Sequence, residues 1–178
     1  IIAVAMLPVA SDAVSYVVAG TNLSDAVSDQ VVVDNTGAVM SGGATASIGY
    51  FTAIADPSSA AIGSLAGDFT ALATSDFSEV DPTVNGLFDM SNTIDTESGS
   101  TFSDASGRDL YLFIGNSGTL SGSSYIGLVD LGTQLGATTG PGPFETKVNY
   151  SAGQFGAGGS VIIGQITANN VNFINGDD

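Results

Sequence analysis

With 178 residues, 43% of them hydrophobic, the chain is long enough to bury a core of its own, so a globular class is expected without disulfide or metal staples. Its charge is one-sided: 18 Asp and Glu face only Arg108 and Lys147, a net charge of -16 that repels phosphate backbones and anionic lipid headgroups and argues against nucleic acid as a partner. Neither Cys nor His occurs, which removes disulfides and the usual zinc, haem and copper sites.

The chain opens with the apolar run IIAVAMLPVA, whose large side chains are Ile1, Ile2, Val4, Met6, Leu7 and Val9. The run suits the apolar part of a secretory leader, and Ser11-Asp12-Ala13 loosely matches a cleavage site, but a basic start is missing. It is too short for a membrane-spanning helix, and Pro8 and Asp12 interrupt it. Residues 1 to 13 therefore read as a hydrophobic arm preceding a single β-sandwich domain over residues 14 to 178. The arm needs burial, either as a strand of its own domain or as a strand donated to a neighbouring subunit.

Val14 to Ala19 is rich in β-formers and predicts a strand. Gln30 to Asp34 and Ala38 to Ser41 flank Asn35-Thr36-Gly37, a hairpin signal in which Asn and Gly supply left-handed backbone. Thr45 to Ile54 predicts another strand, with Gly49 marking a bulge or a close backbone approach. A helix is expected over residues 57 to 73: Asp56 caps it, Pro57 takes its first position, and Ile62, Leu65, Ala66, Phe69 and Leu72 recur at helical spacing. Its apolar face should close an edge or an end of the sandwich.

Val84 to Met90 predicts a short strand broken by Gly86, and Ser91 to Ser100 a polar loop. Asp109 to Asn116 (DLYLFIGN) is the strand around which the others are expected to gather. Leu110, Leu112 and Ile114 fall on one face and Tyr111 and Phe113 on the other, so both faces need cover. Ser124 to Leu131 follows as a strand, residues 136 to 143 as a loop, and Phe144 to Ser151 as an alternating, half-exposed strand carrying Lys147. Ser160 to Ala168 predicts a buried strand and Val171 to Ile174 a last short one. Many short strands and Gly-rich turns give the fold class: all-β, a two-sheet sandwich or jelly-roll-like form with one short helix.

The order VVVDNTGAV (residues 31–39), ASIGYF (46–51), GDFTAL (67–72), NGLF (85–88) and GRDLYLFIGN (107–116) resembles secreted proteins carrying the PEP-CTERM type of sorting signal, exported by Verrucomicrobia-like and related environmental bacteria. The resemblance spans residues 31 to 130 and rests on turns and aromatic-bearing strands rather than a catalytic signature. It implies export and an extracellular or cell-surface location. The family's Pro-Glu-Pro motif, hydrophobic tail and basic stop are not among these residues. The Gly-, Ser-, Thr- and Ala-rich, Lys-poor composition is also that of secreted bacterial surface proteins.

No catalytic residue is expected. A Ser or Thr nucleophile has no His to activate it, and Lys147 reads as a solvated lysine. Asp76 with Asp81, or Asp104 with Asp109, could be read as a glycosidase pair, yet any acid-rich chain offers such pairs and no Trp provides a sugar platform. The Gly-rich stretches lack the Lys and following helix of a phosphate loop. Fifteen of the acids are Asp, most of them in turns, where Asp serves the backbone. Calcium is the cofactor such loops could bind, at Asp76, Glu79 and Asp81 or at Asp104 and Asp109 around Gly107, although no closing bidentate Glu is present. The expected function is an extracellular structural subunit that assembles with itself through the arm; the alternative is a secreted module binding carbohydrate or another surface. Neither is an enzyme.

Overall fold

The computed structural model describes residues 15–21, 31–34, 36–77, 85–95, 100–135, 144–149, 160–166 and 170–172. In chain order the strands are β1 (Ser15–Thr21), β2 (Val31–Val33), β3 (Thr45–Phe51), β4 (Phe69–Asp76), β5 (Asp89–Asp95), β6 (Asp109–Gly115), β7 (Ile126–Gln134), β8 (Phe144–Asn149), β9 (Ser160–Ile163), β10 (Gln165–Ile166) and β11 (Asn170–Asn172). Two short helices, α1 (Ile62–Asp68) and α2 (Ser100–Ala105), and the 3-10 turns Pro57–Ser59 and Leu120–Gly122 interrupt them. The fold is all-β. Its main layer is an antiparallel sheet in the order β4-β3-β6-β7-β9; a second sheet runs β5-β1-β8, and a short ribbon runs β10-β11-β2.

β6 lies in the middle of the main sheet, and its side chains divide as the alternation requires. Leu110, Leu112 and Ile114 enter the core between the two sheets, where they join Ala46 and Ile48 of β3, Tyr16 and Val18 of β1, and Met90 and Ile94 of β5. Tyr111 and Phe113 enter a second core on the outer face, built with Phe51, Leu65, Ile126 and Leu128. Edge-to-face ring contacts organise this outer core: Phe51 to Phe69 at 5.4 Å, Phe51 to Tyr111 at 5.0 Å and Phe69 to Phe113 at 5.2 Å between centroids. An antiparallel sheet apolar on both faces needs two covers. The β5-β1-β8 sheet supplies one, and α1 with the flanking turns supplies the other.

The expected helix over residues 57 to 73 is corrected. Asp56 does cap a turn, accepting a hydrogen bond from Ser58 N at 3.0 Å with Pro57 at the first position, but Ala60 and Ala61 are extended and α1 covers only Ile62–Asp68. From Phe69 onward the chain is β4, paired with β3 from Phe51↔Phe69 to Thr45↔Asp76. Gly63 and Gly67 weaken the helix, whereas Phe69, Thr70 and Thr74 suit a strand, so sheet pairing overrides the helical spacing. The pairing shifts register at Ile48/Gly49: Ile48 faces Ala73 and Gly49 faces Ala71, leaving Leu72 as the extra residue of a bulge. Leu72 and Ala73 consequently both reach the inner core, and the backbone of β4 comes close to Gly49.

Other expectations shift for similar reasons. Asn85-Gly86 is a turn with Gly86 at φ +80°, and β5 runs through the segment expected to be a polar loop. Only Met90 and Ile94 of that strand are buried, so its sequence carries little apolar alternation. A second helix, α2, begins at the end of the segment expected to be a polar loop and leads into the turn at Gly107. The strand expected over residues 160 to 168 is divided at Gly164 (φ +103°): β9 closes the main sheet, β10 leaves for the ribbon, and residues 161–163 are half-buried rather than buried. Among the described residues, the turn of the hairpin expected over residues 30 to 41 is present. Asp34 N donates to Ala38 O at 2.8 Å, Val33 bridges Val39, and Gly37 is the left-handed residue at φ +85°.

Candidate functional site

Several of the described acids hold main-chain amides of turns and loops. Asp34 Oδ1 accepts from Thr36 Oγ1 at 2.6 Å, Thr36 N at 2.8 Å and Ala38 N at 3.0 Å. Asp68 grips the loop after β3, accepting from Ala53 N at 2.9 Å and Ile54 N at 2.8 Å, and Asp130 Oδ1 accepts from Gly132 N at 2.8 Å. Hydrogen bonds to the charged form favour it, so Asp34, mainly through the Thr36 hydroxyl, and Asp68, mainly through the Ile54 amide, titrate below the ordinary 3.8. The sign follows: their contribution is complete above that value and is lost as pH falls through the lower folded-state values. Thermal melts of wild type and Asp68→Asn, compared from about pH 5 to about pH 2.5, should therefore converge as the pH falls. A constant gap would mean the carboxylate's charge is irrelevant to this loop.

Of the residues expected to bind calcium, Asp76, Asp104 and Asp109 are described. Asp76 ends β4 and accepts from Gly43 N at 3.2 Å, while Glu79 and Asp81 lie outside the described residues. Asp104 is exposed in the last turn of α2. Asp109 opens β6, and its Oδ1 accepts from Gln134 Nε2 at 2.7 Å. The sharp turn between them does exist, with Gly107 at φ +74°, and Arg108 Nε donates to the Asp104 carbonyl at 2.6 Å. Among the described residues no three acids converge as metal ligands. The arm residues Ile1, Ile2, Val4, Met6, Leu7 and Val9 also lie outside the described residues.

Arg108 and Tyr111 are what the sequence reading missed. Arg108 Nη1 donates to Phe51 O at 3.1 Å and Thr52 O at 2.9 Å, and its guanidinium lies 5.3 Å from the Tyr50 ring centroid. One of the chain's two cations thus fastens the end of β3 to the α2–β6 junction, binding carbonyls rather than carboxylates. Its rarity, directly before β6, was the available signal. Beside it lies an open cleft of about 270 Å³, lined by Phe51, Ile54, Ala55, Gly107, Arg108, Asp109 and Tyr111. Burial, and then the nearby charges of Asp130, Asp109 and Asp56, push the Tyr111 phenol above its ordinary value, so it stays protonated and able to donate.

No helix among the described residues is long and apolar enough to cross a membrane. No protein-family model, curated protein or solved structure matches this chain.

Proposed function

We propose that the protein is an extracellular structural subunit whose copies join into a filament or surface layer by donating the hydrophobic N-terminal strand to a neighbour. The observation that supports this reading is the β9 edge of the main sheet. β9 pairs with only Leu128, Val129 and Asp130 of the nine-residue β7, and its Val161, Ile162 and Ile163 remain half-buried between Ser160 and Gly164. Among the described residues neither charge nor proline guards it, and its protection is limited to its short length and the register shift at Leu128/Val129. An apolar edge of this kind is a template for another strand, and proteins that avoid pairing normally blunt it. The arm has matching chemistry, with six large apolar side chains in its first nine residues and no charge.

A strand passed from one copy to the next makes a head-to-tail contact, which propagates when it does not close into a ring. The charge of -16 opposes lateral clumping, and salt or calcium on the exposed carboxylates would relax it. The role is structural rather than catalytic, nucleic acid is not a partner, and the location rests on the composition and on the resemblance of residues 31 to 130. Deleting residues 1 to 10 should leave a folded monomer by sedimentation velocity, while the full-length protein with calcium present forms extended assemblies in negative stain. Identical assembly with and without the arm, or a full-length protein that stays monomeric at high concentration, would overturn the proposal.

A further inference from the structure

The cleft before β6 has a composition that the assembly reading leaves unused. Its volume, about 270 Å³, lies just below the roughly 300 to 1,000 Å³ typical of ligand pockets, and so suits one small ring. Tyr111 is only 8% exposed, yet its hydroxyl has no hydrogen-bond partner among the described residues. Buried hydroxyls are normally satisfied, so one without a partner among the described residues, bordering a cleft, points to a partner that enters it. Asp109 commits Oδ1 to Gln134, leaving Oδ2 without a partner among the described residues. Arg108 commits Nε and Nη1 to carbonyls and leaves Nη2 equally unengaged. Phe51 and Ile54 add a hydrocarbon wall.

The charges narrow the class of occupant. A free anion would meet the carboxylate of Asp109, with Asp56 and Asp130 near enough to act on Tyr111 as well. A simple cation would be drawn by these carboxylates but would meet the guanidinium of Arg108, which lines the cleft itself. A neutral molecule with several hydroxyls meets neither repulsion, since each hydroxyl both donates and accepts. We propose that this cleft binds a single neutral sugar unit, its hydroxyls shared among Asp109, Arg108 and Tyr111 and its C–H face against Phe51 and Ile54. The site goes beyond the assembly reading and does not depend on it.

Saturation-transfer NMR with a panel of methyl hexopyranosides tests this on the full-length protein, because it observes the ligand whether or not copies assemble. At least one glycoside should show transfer, with millimolar affinity. Tyr111→Phe, which keeps the ring and removes the hydroxyl, should weaken binding roughly threefold to tenfold. Ala55 is exposed at the cleft, so Ala55→Phe should fill the space and abolish transfer without disturbing the fold. The proposal is overturned if no glycoside shows transfer at high millimolar concentration, if both variants bind like wild type, or if tetramethylammonium or acetate outcompetes every glycoside. A monomeric protein that shows the expected transfer keeps the site and removes only the assembly reading.

Discussion

A Gly49→Ala variant is expected to lose about 3 kcal/mol or more of folding stability, the upper range for an overpacked interior. A Cβ at this position would stand 2.1 Å from the carbonyl oxygen of Thr70 and 2.9 Å from the Cα of Ala71, with the Phe69 ring 2.8 Å away. Two of these three neighbours are backbone, which cannot swing aside as a side chain does. They are close because the bulge at Leu72 presses β4 against β3, and moving them would break the pairing on one side of the sheet. Gly63 in α1 is the control: a Cβ there meets nothing within 4 Å, so Gly63→Ala should be neutral or stabilise by about 0.5 to 1 kcal/mol. Urea denaturation of the two variants against wild type separates the effects. A loss at Gly49 under about 1 kcal/mol would show that β4 can retreat without penalty.

Truncating β6 on its two faces should be severe in both directions. Phe113 and Leu112 are adjacent, essentially inaccessible, and belong to different cores. Phe113→Ala should cost about 3 to 5 kcal/mol and Leu112→Ala about 2 to 5 kcal/mol, through lost burial and the cavities left behind. Together these approach the roughly 5 to 15 kcal/mol that a whole domain possesses, so the double variant is expected to be unfolded by circular dichroism at room temperature. A cost below about 1 kcal/mol at either residue would mean that its face is not sealed, and would remove the two-cover description of the main sheet.

What was legible in the sequence was local. Alternation alone placed Leu110, Leu112 and Ile114 opposite Tyr111 and Phe113, because side chains of an extended strand point alternately whatever surrounds them. Turn chemistry located the hairpin at Gly37 and the cap at Asp56, since both depend on a residue's own backbone and side chain. Asp109 was singled out too, as a calcium ligand, because its sequence neighbours are turn residues. The remaining features depend on partners distant in the chain. The spacing of Leu65, Phe69 and Leu72 fits a helix and also a helix that becomes a bulged strand, and pairing with β3 selected the second. β5 was hidden because two buried side chains in seven residues carry no period, and it persists through its ladder with β1. The cleft joins residues 51–55 to residues 107–111, and Arg108 joins them by bonding to main-chain carbonyls. Every residue offers the same carbonyl, so no sequence pattern marks which ones a guanidinium will find; that choice is made only when the strands have paired.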